Sequence, residues 1–400
     1  MPPQYSFGTW LARMSYADES QVMEVARVAR EKRFPADVIH VDITWFDKSW
    51  RCDWRFSPTR FPDPKAMITK LNTQGFKFTV WQNPYVLKGT WAWDEAVEKG
   101  YLATSHKVPF VFVGVYEGLP IDFTNPEAAT WYRERLLKPL FEQGVSAIKT
   151  DFGEGIHPSM TFKAGNGKKI HNLYPMLYNR AAYTAAKDYF GEEEAMVWGR
   201  SGYAGSQRYP VVWSGDNSAT FGSMMGSLHG GLNLGLSGFT FWSQDTGGFV
   251  GTPTDELMVQ YQDDPSTYNI DDQFMCGDHL LVAPILTTEW WRRVYLPKGL
   301  WYDFWTGQSY QGGQWLTVNS PLETIPLFVK AGSLIPLAQV VQSTQDLSLD
   351  KMTLHAFGDQ NGQSHYELWS KTEQIPLKAD HTKQILQTHL SVQEVIWRNS

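Results

Sequence analysis

Cysteine is scarce in this 400-residue chain, with only Cys52 and Cys276. Two thiols so far apart build neither a disulfide framework nor a metal-ligand cluster, and they read as ordinary reduced thiols, partly buried. Basic runs are missing as well. With 35 Lys and Arg against 42 Asp and Glu, the net charge is −7, and nothing offers nucleic acid a surface. Nowhere do about 18 apolar residues run together, and Met1 to Ser6 lack a basic region followed by an apolar stretch. These absences predict a soluble, cytoplasmic protein without a membrane partner. No cofactor is expected either, because Gly230-Gly231 and Gly247-Gly248 lack the neighbours of a phosphate-cradling loop. His40, His157 and His171 show no paired ligand spacing, so no metal site is expected. A homo-oligomer is left open.

What the chain does have is aromatic residues and alternation. Its 18 Trp, 18 Tyr and 22 Phe suit sugar rings, whose C–H faces stack on aromatic faces, and they suit an ordinary core equally well. From residue 20 to about 245, helix-like segments alternate with strand-like runs. Glu19 to Lys32 precedes the run Val38 to Ile43; Pro64 to Thr73 precedes Phe76 to Trp81; Pro126 to Gln143, with Asn125 as cap, precedes Ser146 to Asp151. A helix over Leu173 to Phe190 leads to the strand Ala195 to Trp198 and then to Tyr209 to Asp216. The segment Met224 to Leu236 leads to Gly238 to Asp245. With Ile121-Asp122-Phe123 as a short third strand, seven strands are predicted. Such alternation argues for an α/β fold with a parallel sheet, and acidic strand ends favour a (β/α) barrel over an open sheet. Past about residue 264 the texture changes to short strands broken by Pro and Gly, which predicts a β-sandwich. The expected domains are an incomplete barrel over 1–262, a proximal β-sandwich over 263–338, and a partial distal β-domain or tail over 339–400.

The most pointed feature is the end of the run Ser146-Ala147-Ile148-Lys149-Thr150-Asp151. In a parallel barrel the residues just past the strand ends line the pocket, so Asp151 is placed for chemistry. Trp213-Ser214-Gly215-Asp216 has the same grammar. Two carboxylates facing one cavity suit glycoside hydrolysis, one as nucleophile and one as general acid/base. The plainer reading is that each Asp caps the following helix. Recurrence of acidic ends on successive strands weighs against it.

Lys149-Thr150-Asp151-Phe152-Gly153-Glu154 resembles the nucleophile motif of glycoside hydrolase family 31, and Trp213-Ser214-Gly215-Asp216 its acid/base motif. Asp122 to Pro126, His171 to Tyr174, Ala204 to Pro210, Gly235 to Phe239, Gln273 to Asp278 and Trp301 to Trp305 resemble further signatures in the expected order. The resemblance implies a retaining α-glycosidase for terminal α-linked glucosides, xylosides or galactosides, with an α-glycoside or oligosaccharide as partner. Alternatives are an α-transglycosylase or an impaired sugar-binding remnant. It implies that Asp151 attacks the anomeric carbon while Asp216 protonates the leaving oxygen and then activates water. Their carboxyl groups should then lie roughly 5 to 5.5 Å apart, with Asp151 ionised and Asp216 raised in pKa. Lys149 is expected to help keep Asp151 charged. Asp42 and Arg200 would hold hydroxyls, Arg200 also reaching the nucleophile. Asp245 is the acidic end of the seventh strand, and Trp213 and Phe249 would form apolar walls. Trp81 and Trp45 are weaker candidates, and for Asp122 the plainer alternative is a capping role at the helix that starts with Pro126.

One departure from the family stands out. Landmarks resembling Glu256-Leu257-Met258 and Tyr261 to Pro265 are nearly adjacent, where a barrel would place a helix, the eighth strand and a last helix. At roughly 30 residues per βα unit, about 50 to 70 residues are expected to be absent, together with the family's N-terminal β-sandwich. Two strand edges should therefore be exposed.

Overall fold

Helix starts are marked in the sequence by short polar residues, and the structure uses them. In the computed structural model, residues 1–400 are described except Met14, 106–110, 113–115, 251–272, 286–289, Leu322, 370–373, His389 and 399–400. The side chain of Asp18 accepts from the Gln21 backbone N–H at the start of the helix Glu19–Glu31, and Asp63 accepts from Ala66 N–H before Pro64–Thr73. Asn125 caps Pro126–Trp131, as the sequence predicts. This satisfies first-turn donors that have no partner within the helix. The predicted single helix over 126–143 is divided. A π-helical segment, Tyr132–Leu137, separates Pro126–Trp131 from Lys138–Glu142. Pro139, which has no N–H to donate, sits just past that segment.

Seven parallel strands follow one another in chain order: β1 (Trp10–Leu11), β2 (Val38–Val41), β3 (Lys77–Gln82), β4 (Ala147–Thr150), β5 (Val197–Gly199), β6 (Val212–Trp213) and β7 (Trp242–Ser243). The curled sheet is a barrel-type sheet whose outermost strands are β1 and β7. Its membership corrects the sequence reading. Ile121 makes only an isolated antiparallel bridge to Leu102, so Ile121-Asp122-Phe123 is not a sheet strand, and Trp10–Leu11 takes the extra place beside β2. The expected gap between Met258 and Tyr261 lies outside the described residues.

Strand alternation sorts the side chains onto two faces. Ile39, Val41, Phe78, Val80, Ile148 and Val197 join the large core with helix residues such as Ala26, Leu71, Leu140 and Ala182. Val38, Ala147, Met196, Trp198 and Trp213 form a separate inner cluster. Asp37, just before β2, is buried and accepts from Ser343 Oγ, Thr344 N–H and Thr344 Oγ, so that the segment 341–346 straps onto the base of this sheet. The two cysteines, expected to be partly buried, differ from that in opposite directions: Cys52 is fully buried and Cys276 is exposed.

The chain divides into two compact units, the first comprising 1–215, 234–244 and 341–346, the second the remainder. The second unit is rich in β-structure. It contains a five-stranded antiparallel sheet around Leu280–Val282 and Leu327–Lys330, and a ribbon pairing Trp291–Leu296 with Gln314–Asn319. Leu281, Trp301 and Phe328 of the sheet pack with Val294 and Leu296 of the ribbon. A six-stranded sheet over Ser333–Leu337 and the strands from Thr353 to Arg398 completes it. Among the described residues no helix is long and apolar enough to cross a membrane.

Candidate active site

Because side chains alternate, one inner face collects Val38, His40 and Asp42 from the β2 line, Thr79 and Trp81 from β3, Ala147, Lys149 and Asp151 from β4, and Met196, Trp198 and Arg200 from β5. The polar members sit toward the C-terminal strand ends, where a barrel-type sheet opens its pocket. The β4 and β5 ends are fixed from behind. Thr150 Oγ donates to Asn179 Oδ1 at 2.6 Å, and Asn179 Nδ2 donates to the Ser201 carbonyl at 2.8 Å, tying both strands to the helix Tyr174–Phe190.

Asp151 is buried, and both carboxyl oxygens are engaged. Oδ1 accepts from Phe152 N–H at 2.7 Å and faces Arg200 Nη1 at 3.0 Å; Oδ2 accepts from Trp81 Nε1 at 2.7 Å. The other Arg200 nitrogen pairs with Glu154, and the guanidinium lies over the Phe152 ring, 4.2 Å from its centroid. The turn after β4 makes this crossing feasible: Phe152 and Gly153 both adopt positive φ, 59° and 102°, which sends the backbone sharply away from the strand. Burial pushes the Asp151 carboxyl up, and the positive charges of Arg200 and Lys149 and the Trp81 and Phe152 donors pull it back only in part, leaving it at about 6.

A second buried charge cluster lies beside it. Lys149 Nζ is 2.9 Å from Asp42 Oδ2 and projects between the rings of Trp213 and Trp198, 4.6 and 5.0 Å from their centroids. The direct ion pair of Lys149 is with Asp42, and its charge reaches Asp151 only at a distance. Burial would raise the Asp42 carboxyl, but the Lys149 ammonium and the His40 ring outweigh it and hold it below its ordinary value. Burial likewise pushes His40 down, despite its bond to Asp42.

The first unit therefore brings together Asp42, Lys149, Asp151, Arg200 and Trp213. Asp216, Asp245 and Phe249 belong to the second unit. There Asp216 is exposed, and the Asn217 carbonyl accepts from Phe249 N–H at 2.7 Å and Val250 N–H at 3.0 Å, so the stretch after Asp216 runs against Phe249. The Asp245 carbonyl accepts from Gly248 N–H at 2.8 Å, closing the intervening turn.

Asp122 is not the helix cap. Its Oδ1 accepts from Thr124 N–H at 2.9 Å and from the Thr124 hydroxyl, and its Oδ2 accepts from Lys163 N–H at 2.7 Å, so it joins two loops while Asn125 caps. Trp81 emerges as a direct donor to Asp151, a role its sequence neighbourhood could not show. Trp45 is one shell further out, donating from Nε1 to the Trp81 carbonyl at 2.8 Å. Glu154 and His40 are the partners that sequence reading missed; the spacing of His40 two residues before Asp42 on one strand face was the available signal.

Comparison with known proteins identifies a family. The family description "Glycosyl hydrolases family 31 TIM-barrel domain" matches residues 1–263, and "Glycosyl hydrolase family 31 C-terminal domain" matches 251–335. An α-xylosidase of Emericella nidulans is 27% identical, the match covering 88% of this chain and 56% of that protein. The α-glucosidase 2 of Bacillus thermoamyloliquefaciens is 28% identical, covering 92% and 57%. Among solved structures, a Flavobacterium johnsoniae GH31 dextranase complexed with glucose superposes with a TM-score of 0.84 at 25% identity, over 95% of this chain and 60% of that one. The chain thus spans little more than half the length of the relatives it matches. The Emericella match runs over 436 residues, whereas 88% of 400 residues is about 352, so about 84 positions within the matched span have no counterpart here.

Proposed function

This chain belongs to glycosyl hydrolase family 31, and from that premise we propose that it is a retaining α-glycosidase acting on terminal α-linked glucosides, xylosides or galactosides, with Asp151 as nucleophile and Asp216 as general acid/base. The observation that carries the proposal is the setting of Asp151. A carboxylate at the C-terminal end of β4, with Arg200, Trp81 and the Phe152 N–H donating to it, is oriented for attack rather than spent on capping a helix. Oδ2 has one donor where Oδ1 has two, so Oδ2 is the oxygen with lone-pair density to spare for an anomeric carbon. A carboxyl at about 6 is mostly ionised at neutral pH, as a nucleophile must be.

In the proposed first half-reaction Asp151 forms a glycosyl ester with inversion at the anomeric carbon while Asp216 gives its proton to the leaving oxygen. In the second, Asp216 removes a proton from water, which displaces Asp151 and restores the original anomeric configuration. Arg200 stabilises the Asp151 carboxylate before the attack and again as water releases it. Asp42, with Lys149 beside it, offers a charged acceptor to the non-reacting hydroxyls, and Trp213 and Phe249 supply apolar wall, with Asp245 as a further acidic contact. The same reading keeps the barrel over 1–262, the first β-sandwich over 263–338 and the remaining β-structure over 339–400 as functional divisions, and takes an α-glycoside or oligosaccharide as substrate.

The test is turnover of a panel of p-nitrophenyl α-glycosides by the wild type and by Asp151→Ala. Activity on at least one sugar, lost in the variant and rescued by azide as a glycosyl azide of inverted configuration, is expected. Activity that survives Asp151→Ala would overturn the assignment.

A further inference from the structure

We propose that His40 is a positioning residue for Asp42: its ring, anchored through Nδ1 on the Thr79 hydroxyl, donates from Nε2 to Asp42 Oδ2 and thereby dictates which carboxylate oxygen is left for substrate. The inference rests on the reading of Asp42 as a sugar-binding acid and deepens it.

The geometry is closed on one side and open on the other. Asp42 Oδ2 faces Lys149 Nζ at 2.9 Å and His40 Nε2 at 3.3 Å; Oδ1 accepts from the Ile43 N–H at 3.0 Å. Oδ2 is thus committed to the protein, while Oδ1 has one backbone donor and a remaining lone pair. His40 cannot turn away to release it. The residue is 1% exposed, its Nδ1 is 2.9 Å from Thr79 Oγ, and its ring meets the Trp198 ring edge-on with centroids 5.0 Å apart.

The tautomer follows from the partners. An ionised carboxylate only accepts, so the nitrogen facing Asp42 must carry the hydrogen, and the nitrogen facing Thr79 then accepts from the hydroxyl, which can donate. The charged groups facing the ring are Asp42 on its own strand line and Lys149 from β4. An imidazolium would set a second cation beside Lys149 inside a buried layer, and burial, foremost, pushes the ring's pKa down. His40 is therefore a neutral, one-tautomer donor, and Lys149 supplies the charge that Asp42 needs. This separates two tasks that a second lysine would merge: Lys149 keeps Asp42 ionised, and His40 sets its rotation.

Two arms test it. Long-range nitrogen–proton correlation spectra of the wild type, with the His40 signals assigned by their loss in His40→Asn, should give an Nε2–H ring that stays neutral from about pH 5 to 8. An Nδ1–H ring, or one that charges in that interval, overturns the proposal whether or not the chain turns over any glycoside. In the second arm His40→Gln retains a donor near the Nε2 position, whereas His40→Asn reaches only the Nδ1 position. On the preferred p-nitrophenyl α-glycoside, kcat/KM should fall about tenfold in His40→Asn and within about twofold in His40→Gln. The loss should vanish on the monodeoxy analogue that wild type and Asp42→Asn turn over equally. Equal losses in both variants on every substrate would mean that the ring only fills space. A wild type that cleaves no α-glycoside counts against the glycosidase reading instead, and the spectra still decide the role of His40.

Discussion

Removing the indole donor from Asp151 gives a quantitative test of the electrostatics of the site. Trp81 Nε1 donates to Asp151 Oδ2 at 2.7 Å, and Trp81→Phe deletes that donor while retaining most of an almost fully buried ring. A hydrogen bond to a charged acceptor contributes about 1.5–3 kcal/mol. At about 1.4 kcal/mol per pH unit, its loss should raise the Asp151 carboxyl by one to two units. The starting value is about 6, so the variant should titrate at about 7–8. The ionised fraction at pH 7 would fall from roughly nine-tenths to between about a half and a tenth. The assay is kcat/KM for an aryl α-glycoside between pH 4.5 and 9. The acid limb should move upward by one to two units, kcat/KM at pH 7 should fall roughly two- to tenfold, and variant and wild type should converge near pH 9. A uniform, pH-independent loss would show that Trp81 shapes the pocket without tuning Asp151. An acid limb that stays near its original place would refute the reasoning outright. Parallel thermal melts separate either result from unfolding.

Further outcomes follow from the two charge clusters and from the strap at 341–346. Asp151 is raised in the folded state, so its contribution to stability is present below its ordinary value of 3.8 and is lost as pH rises to about 6. Asp151→Asn does not titrate, so its stability relative to wild type should improve between pH 4 and 6 and then level off; urea unfolding across that range checks it, and a flat difference would contradict it. Lys149→Met leaves the buried Asp42 charge alone and should cost about 3–5 kcal/mol. Adding Asp42→Asn should restore a large part of that stability, whereas simple additivity in calorimetry would show that the two residues are not coupled. Asp37→Ala removes the acceptor of three donors from Ser343 and Thr344. It should destabilise the fold by about 2–4 kcal/mol in denaturant titration, and an unchanged midpoint would deny the strap any energetic role.

How much of this the sequence discloses depends on the kind of feature. Asp151, Lys149, Asp42 and Arg200 are legible because an ionisable residue at the end of an apolar strand has few reasons to be there, and period-two alternation puts it on a known face. Their pairing is not legible. Lys149 and Asp151 are two residues apart on one face, which suggests a pair, yet the ammonium turns across the sheet to Asp42 because Arg200 already occupies Asp151 Oδ1. Trp10–Leu11 is too short to carry a period and is drawn into the sheet by the open edge of β2, whereas Ile121-Asp122-Phe123 has strand-forming residues but is committed to loops through Asp122. His40 reads as an isolated histidine until Thr79 and Asp42 are seen on either side of it. Cys276 lies on a strand whose residues are only partly covered, a matter of neighbours rather than of its own residue type.

The strap at 341–346 has a consequence for how the molecule comes to exist. The first unit is discontinuous, and its buried Asp37 waits for donors that lie more than 300 residues downstream. On a ribosome adding about 5–20 residues per second, the stretch from 245, just past β7, to 344 takes on the order of ten seconds to emerge. For that time the sheet stands assembled except for its base, with a carboxylate facing water where three donors will later close. Folding in this chain therefore cannot finish in strict order from the N-terminus. A nascent chain stalled before residue 341 should be cut by protease near Asp37, and one stalled well past 346 should be protected there.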